Sequence, residues 1–284
     1  MALLAKKLLN NNDFDVYKYN LMKFDNNFVV PENVKFVNIS DTEFFKLKVL
    51  FKIMSFTRSI EVLTNKKFWF SNPIRWLDPY EKMFVNATYK SKQGEFLFPW
   101  HNRVCCFCLT ENASSQASWC TYCENQIGMQ FCINVEQLFN EICREFKNYK
   151  IFIGRVEYMS TRDFCGSISK IPFQSPCPNI DLNDDSLLAR LMFLKRNAFE
   201  FEKEIRIVVV KNEEEKDLNG IHFSYNCDNT ELIQSIVIDP MVNDDCFNTI
   251  SDFIVTQFNF IPINNYPRVR HSRLYKDILK TKQI

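Results

Sequence analysis

The spacing of apolar residues along the chain predicts short strands interleaved with amphipathic helices. Apolar runs flanked by turn residues predict strands at 34–37, 68–70, 103–109, 129–133, 150–158, 204–210, 222–225 and 234–239. Apolar residues at helical spacing predict helices at about 41–63, 118–126, 135–146, 187–201 and 244–258. Strands and helices are mixed without strict alternation, so the sequence predicts an α+β fold with a split, mostly antiparallel sheet flanked by helices.

The same pattern divides the chain into three parts. Residues 1–34 are polar and rich in Asn, which predicts an N-terminal arm. Residues 35–260 form the single α+β domain, and residues 261–284 form a basic C-terminal tail. Within the domain, 71–100 and 160–184 are predicted as long loops, and long loops often carry functional residues.

Composition narrows the class of protein. The chain has 284 residues, of which 46% are hydrophobic, enough for a sizeable core. With 35 basic and 34 acidic residues the net charge is +1, which gives no overall attraction to nucleic acid or anionic lipid. There are five glycines and no two lie within five positions, so neither a GxGxxG turn nor a phosphate-binding P-loop can form.

The sequence also predicts a cytoplasmic protein that contacts no membrane. The N-terminus carries Lys6 and Lys7 too early for a signal peptide, and no run of about 18 apolar residues predicts a membrane span. The eleven cysteines are sparse and odd in number, which favours reduced thiols over a disulfide scaffold.

Four cysteines have a spacing that could bind zinc. Cys106 and Cys108 are followed by Cys120 and Cys123, and four thiolates at such distances can form a tetrahedral site. However, the first pair lies in a predicted strand without Gly or Pro, and the second lies one helical turn apart beside aromatic residues. We therefore favour ordinary buried cysteines and predict no metal ligand.

The segment from Glu200 to Arg206 is the first candidate for catalysis. Alternate residues of an extended segment share one face, so Glu200, Glu202, Glu204 and Arg206 would line up together. Neighbouring carboxylates raise one another's pKa, and an arginine offsets part of that effect. A solvated helix end that runs into an edge strand explains the pattern equally well.

Two further segments combine polar and aromatic residues. The predicted strand at 68–70 ends at Ser71 and Asn72 and leads into Asp78-Pro79-Tyr80-Glu81, which either presents a polar cluster or simply forms turns. Trp119 and Tyr122 lie three residues apart on one helical face, a spacing more typical of a core than of a stacking platform. With three histidines and no HExxH or GxSxG motif, a histidine-centred site is not expected.

Three blocks taken in order carry a resemblance. The first covers Leu63 to Pro73 and Leu77 to Glu81; the second covers Val104 to Phe131; the third contains Lys195, Glu202, Glu204 and Arg206 and ends at Ile236 to Pro240. Together, over roughly residues 57–258, they resemble the bacterial family catalogued as domain of unknown function two-nine-seven-one. Leu77 stands where that family usually has Asn, and Cys106 and Cys108 stand where it has serines.

The arrangement of these blocks is similar to the ADP-ribosyltransferase fold, which implies an enzyme that consumes NAD as a substrate. By this resemblance, Glu204 would bind the nicotinamide ribose and stabilise an oxocarbenium-like transition state. Glu202 would orient or deprotonate the acceptor. The residues implied to bind NAD are Arg58 or Arg206 at the pyrophosphate, Tyr122 or Trp119 on the nicotinamide, and Ser71 with Asn72 beside them.

The resemblance further implies a nucleic acid or protein acceptor and a role as a toxin or phage-defence effector. Two other interpretations stay open. The chain could be a non-catalytic module that binds nucleic acid through the basic tail, where Arg268 to Lys280 would contact phosphates and Tyr266 and Tyr275 would stack on bases. It could also be a zinc-stabilised protein that binds a partner.

Overall fold

A computed structural model describes residues 29–86, 88–91, 94–113, 115–123, 127–163 and 185–275. Most of the predicted arm at 1–34, nearly all of the predicted loop at 160–184 and the last nine residues of the basic tail lie outside the described residues. The described residues from Glu32 onward belong to one structural unit.

The helices vary from one turn to four turns. In chain order they are α1 (Asp41–Lys46), α2 (Phe56–Asn65), α3 (Pro79–Asn86), α4 (Gln116–Cys123), α5 (Val135–Glu145), α6 (Asp185–Met192), α7 (Asn229–Leu232) and α8 (Asp244–Phe258), with 3₁₀ helices η1 (Pro73–Arg75) and η2 (Asn197–Glu202). None of these helices is long and apolar enough to cross a membrane.

Most strands join one large sheet. The strands are β1 (Val34–Val37), β2 (Val49–Ser55), β3 (Lys67–Ser71), β4 (Thr88–Ser91), β5 (Gly94–Leu97), β6 (Val104–Thr110), β7 (Gly128–Asn134), β8 (Lys150–Arg155), β9 (Glu157–Met159), β10 (Leu194–Arg196), β11 (Glu204–Val210), β12 (Gly220–Ser224), β13 (Ile233–Ile238) and β14 (Val269–His271). The sheet runs in the order β1-β8-β11-β6-β2-β7-β13-β14, and β3 joins β6 to β12. Strands β4 with β5 and β9 with β10 form two small separate sheets.

The large sheet forks at β6. The end of β6 at Thr110 pairs with Phe51 of β2, whereas Cys106 pairs with Ser71 of β3. Only the pairs β1 with β8 and β13 with β14 are parallel within this sheet. The α+β class with a sheet flanked by helices is therefore confirmed, and the sheet is mixed, with mostly antiparallel pairs.

Strand β11 lies in the interior of this sheet and is buried at every position. Its odd-numbered residues face a layer of packed aromatic rings that includes Phe68, Phe70, Phe107, Phe146 and Phe223. Its even-numbered residues Val208 and Val210 face a second core formed with Phe152, Trp100 and the residues of α6. Both faces are covered, so β11 is a core strand rather than the edge strand that we also considered.

The largest difference between prediction and structure concerns residues 41–63, which were predicted to form one helix. Ser40 caps the helix α1, because its side chain accepts a hydrogen bond from the backbone N–H of Glu43. However, α1 ends at Lys46, and Lys48 has a left-handed φ of 59°. Residues 49–55 form β2, which lies between β6 and β7. A strand covered on both faces is mostly apolar, as β2 is apart from Lys52 and Ser55, and periodicity alone does not distinguish such a run from a helix.

Two other boundaries differ from the prediction. The helix predicted at 187–201 ends at Met192, and β10 and η2 follow because Leu194–Arg196 pairs with β9. Part of the loop predicted at 71–100 is α3, which begins with Pro79. Asp78 accepts a hydrogen bond from the backbone N–H of Tyr80, so the Asp-Pro pair is the start signal of this helix rather than a plain turn.

Gly154 of β8 provides a test of the packing between β1, β8 and β11. A Cβ at this position would lie 2.0 Å from the carbonyl oxygen of Val37. We expect Gly154→Ala to lower the free energy of unfolding by about 1–3 kcal/mol, because β1 would have to move away. Urea denaturation measures the loss; Glu157→Ala, at an exposed position of the next strand, is the control and should change stability little.

Candidate active site

A buried arginine lies near the middle of the large sheet. Arg206 belongs to β11, which pairs with β6 on one side and β8 on the other, and 1% of its surface is exposed. Its neighbours in the two ladders are Cys108 and Gly154. A charged guanidinium loses several kcal/mol of hydration when it is buried, so its surroundings must supply negative charge and hydrogen-bond acceptors.

Two glutamates and one carbonyl supply them. The Nε atom of Arg206 lies 2.7 Å from Oε1 of Glu204, and Nη2 lies 3.0 Å from Oε2 of the same carboxylate. Nη2 also lies 2.5 Å from Oε1 of Glu81, and Nη1 donates to the carbonyl of Met192. Every nitrogen of the guanidinium therefore donates to a protein acceptor, and the pair with Glu204 is bidentate.

Lys195 of β10 is the second buried cation. Its Nζ atom lies 2.6 Å from Glu202, 3.1 Å from Glu204 and 3.5 Å from Glu81. We call Glu81, Lys195, Glu202, Glu204 and Arg206 the charge cluster. It contains three carboxylates and two cations, so one negative charge is unbalanced when all five groups are ionised.

This charge imbalance shifts the pKa values of Glu202 and Glu204 in opposite directions. Burial raises the pKa of Glu202, and neither Lys195 nor its other partners fully offset burial and the charge of Glu204. Burial acts on Glu204 in the same direction, but Arg206 and Lys195 hold the pKa of its carboxyl well below the usual range. Glu204 is thus ionised at neutral pH, and Glu202 is the group of this pair that accepts a proton more readily.

Ser71 supports the charge cluster indirectly. The indole of Trp76 lies against the guanidinium of Arg206, 4.5 Å from ring centroid to carbon, and its Nε1 donates to Oγ of Ser71 at 2.8 Å. The end of β3 therefore fixes the ring that covers Arg206. A cation over an aromatic face gains further stabilisation when it is shielded from water.

Helix α3 carries Glu81 into the cluster and is anchored beside it. Asp78, at the start of the helix, pairs with Arg196 of β10 at 3.2 Å. The guanidinium of Arg196 also lies 4.1 Å from the ring of Tyr80. Because Lys195 precedes Arg196, these contacts and the charge cluster hold α3 and β10 together.

A small cavity of about 40 Å³ opens beside the two glutamates. Glu202, Glu204, Lys52 and Tyr122 are among its lining residues. Tyr122 donates a hydrogen bond to Glu202, and burial raises the pKa of its hydroxyl, although 44% of the residue is exposed. Lys52 donates to the carbonyl of Cys108 at 2.7 Å, and burial lowers the pKa of its amine.

The structure thus brings together four of the predicted site residues, which are Glu202, Glu204, Arg206 and Tyr122. Glu204 and Arg206 share one face of β11, as the alternation predicts, but Glu202 reaches the site from η2 because Lys203 has a left-handed φ of 45°. Glu200 does not line up with them; it is exposed and pairs with Lys203 at 3.4 Å.

Other predicted residues lie elsewhere. Arg58 is on α2, where 73% of its side chain is exposed and it pairs with Glu61. Asn72 is buried and its side chain bonds to the carbonyl of His101 and the N–H of Ile74, which is a structural role. Trp119 packs with Ile53 and Cys123 and does not line the small cavity.

Arg206 also differs from its predicted role at a pyrophosphate. Its guanidinium is buried and its nitrogens are already bonded to Glu204, Glu81 and Met192. Four of its five N–H donors are bonded within the protein and the group is buried, so Arg206 positions Glu204 rather than meeting a phosphate.

Two members of the charge cluster were not predicted as site residues: Lys195 had no predicted role, and Glu81 stood in a segment predicted either as a polar cluster or as turns. Both stood inside the blocks that carry the family resemblance, so their place in those blocks was the available signal. The spacing of apolar residues placed Lys195 within the predicted helix at 187–201 and Glu81 within a predicted loop, so neither was expected beside Glu204.

The two cysteine pairs that could have bound zinc lie on different elements, a strand and a helix. Cys106 and Cys108 lie on one face of β6 beside β11, where burial raises the pKa of both thiols. Cys120 and Cys123 lie on α4, the first exposed and the second buried. Within the described part of the chain, no three His, Cys, Asp or Glu side chains are arranged to hold a metal ion.

Two arginines of the predicted basic tail are bonded to the sheet or to the segment that leads into it. Arg268 is buried, stacks on Phe260 at 5.2 Å and donates to the carbonyls of Thr230, Ile233 and Gln234. Arg270 lies in β14 and donates to Ser235. These donors hold the chain against β13, so Arg268 does not present its charge to a phosphate.

Comparison with known proteins shows distant similarity to solved structures and no match to a protein family or a curated protein. No protein-family model matches the sequence, and no curated protein is significantly similar to it, so the resemblance to domain of unknown function two-nine-seven-one gains no support. Two similar solved structures are DarT of Thermus sp. 2.9 in complex with ADP-ribosylated ssDNA and DarT of Thermus sp. 2.9 in complex with NAD+. Each is 10% identical, has a TM-score of 0.35 and covers 80% of this chain, with 95% and 96% of the neighbour covered. A likeness this distant assigns no activity.

The stability of the charge cluster should depend on pH through Glu204. Its pKa is lowered by folding, so its ionisation stabilises the fold above the unfolded pKa of about 4.3, and this contribution is lost as the pH falls. We expect Glu204→Gln to lower the free energy of unfolding by about 3 kcal/mol at pH 7, because Arg206 and Lys195 lose a shared carboxylate. Urea denaturation at several pH values should show this difference narrowing below about pH 4.

Glu200→Gln is the matched control, since Glu200 is exposed in the same segment. It should change stability by less than about 0.5 kcal/mol at any pH. A Glu204→Gln deficit that stays constant with pH would show that shape, rather than charge, explains the loss.

Arg268 should contribute to stability rather than to nucleic-acid binding. Arg268→Ala removes the donor to three carbonyls, and we expect the free energy of unfolding to fall by about 2–4 kcal/mol. Arg273→Ala, at an exposed position, is the control and should leave the urea midpoint unchanged. Equal midpoints for both variants would contradict the role assigned to Arg268.

Proposed function

We propose that this protein is an NAD-consuming enzyme of the ADP-ribosyltransferase type, with Glu202 and Glu204 as its catalytic carboxylates. One observation carries the proposal: the pKa values of these two glutamates are shifted in opposite directions at one cavity. Pairs of titratable groups whose surroundings separate their pKa values are typical of sites that divide acid–base and electrostatic roles.

Glu204 is the electrostatic group in this proposal. Its carboxylate is fixed by Arg206 and Lys195 and lines the cavity as a permanent negative charge. Cleavage of the bond between nicotinamide and ribose develops positive charge on the sugar. A preorganised charge in a site shielded from water stabilises such a transition state without reorganisation.

Glu202 is the proton acceptor. The nicotinamide leaves with the bonding electron pair, which neutralises its ring, and an oxygen or nitrogen of the acceptor forms the new bond to the sugar carbon. The proton of that acceptor atom passes to Glu202, whose raised pKa suits a general base. Tyr122, bonded to Glu202, holds the carboxylate in place.

The small volume restricts how NAD could bind. A cavity of about 40 Å³ admits a group the size of a water molecule, so the reacting sugar would sit at its opening. The exposed ring of Tyr122 offers an apolar face there for the nicotinamide. The family resemblance adds a nucleic acid or protein acceptor and a toxin or phage-defence role to the proposal.

NAD turnover tests this function. With NAD labelled in its adenosine half, we expect release of nicotinamide and transfer of label to DNA, RNA or a protein acceptor. Glu202→Gln should lower kcat by about 10²–10⁴-fold, because no base remains to take the proton. In the wild type, kcat should rise with pH through a pKa above the usual value for Glu, since the ionised carboxylate is the base.

Glu200→Gln is the control and should keep full turnover, because its side chain points to solvent outside the site. Thermal melting of each variant separates loss of chemistry from loss of folding. The proposal is wrong if the folded wild type neither transfers nor hydrolyses NAD with any of the three acceptor classes, or if Glu202→Gln retains wild-type kcat.

A further inference from the structure

A second, larger hollow lies against another face of α4. Ser118 and Tyr122 of this helix line the small cavity, whereas Trp119 and Cys123 line a hollow of about 910 Å³. The other described walls are Cys120 of the same helix, Ile127, the turn from Asp239 to Asn243 between β13 and α8, Cys246 of α8 and Tyr275. Ligand pockets in proteins usually enclose about 300–1,000 Å³, so this hollow has room for a small molecule.

The walls of the hollow are largely apolar. Trp119 is buried against Ile53 and Cys123, and Ile127 and Val242 extend the apolar surface. Burial, followed by the charge of Asp239, raises the pKa of the Cys123 thiol to about 12, so this thiol is uncharged. Such walls favour a flat ring over a charged group.

Asp239 is the charged residue among the described walls. It is 7% exposed; its Oδ1 accepts from the N–H of Met241 at 2.8 Å and its Oδ2 from the N–H of Gly128 at 3.3 Å. Each carboxylate oxygen has two lone-pair positions, so each can accept one further hydrogen bond, and Asp239 lines the hollow. A buried carboxylate with spare acceptor positions favours a ligand that donates N–H groups and repels one that carries phosphate.

We propose that this hollow binds a flat heteroaromatic molecule that carries an amino group and no phosphate. Its ring lies on the apolar wall formed with Trp119, and its amino group donates to Asp239. The proposal goes beyond NAD cleavage and is independent of it, since the walls of the hollow contain no member of the charge cluster.

Calorimetric titration with three probes tests the ligand class. Adenosine carries an exocyclic amino group on its purine ring, purine riboside lacks this group, and AMP is adenosine with a phosphate added. We expect adenosine to bind and purine riboside to bind at least about tenfold more weakly, because a hydrogen bond to a charged acceptor is lost. AMP should bind more weakly than adenosine, because its phosphate is repelled by Asp239.

Variants test the location. Cys246→Phe fills the hollow from its wall and should abolish adenosine binding, whereas Asp239→Asn should weaken it about tenfold or more. Asp245→Asn, exposed on the first turn of α8, is the matched control and should bind normally. Melting temperatures report folding, and if Asp239→Asn does not fold, Cys246→Phe decides.

The proposal is overturned if adenosine does not bind at millimolar concentration, if AMP binds as tightly as adenosine, or if folded Cys246→Phe binds like the wild type. NAD turnover of the same variants is a separate readout. A loss of adenosine binding with intact turnover, or the reverse, distinguishes this proposal from the proposed enzyme function.

Discussion

The burial of one guanidinium constrains the part of the fold that contains the site. Arg206 is placed in the interior of the sheet by its position in β11, where the flanking strands exclude water. An unpaired charge there would destabilise the fold by several kcal/mol, so carboxylates must lie within reach of the guanidinium. Glu81 from α3 and Glu204 from β11 meet this need, and Lys195 from β10 then joins the same carboxylates.

This constraint also gives the site its chemical asymmetry. With three carboxylates and two cations, the cluster leaves one carboxylate less well neutralised, and geometry decides which one. Glu204 faces Arg206 and Lys195 at once, whereas Glu202 contacts Lys195 and Tyr122. The opposite pKa shifts of the two glutamates therefore arise from the ion pairs that stabilise the fold.

Helix α4 connects the two parts of the molecule to which we assign ligands. Residues four apart along it, Ser118 and Tyr122, line the cavity beside the glutamates, and Trp119 and Cys123 line the larger hollow. One short helix thus forms a wall of both.

The sequence by itself determined the elements that have a clear period and clear ends. Strands β1 and β11 and helix α8 have the predicted bounds, and the shared face of Glu204 and Arg206 follows from alternation in β11. These features are local, since two-residue and 3.6-residue periods are set by backbone geometry. The α+β class follows from their order.

Only the tertiary structure decided which charges meet. Residues 49–55 form a strand because they pair with β6 and β7. Lys195 lies outside the helix because its segment pairs with β9 and its amine pairs with buried carboxylates. Likewise Glu200 and Glu202 differ because a left-handed turn at Lys203 sends one to solvent and the other inward. Burial and long-range ion pairs depend on residues far apart in the chain, so no local pattern contains them.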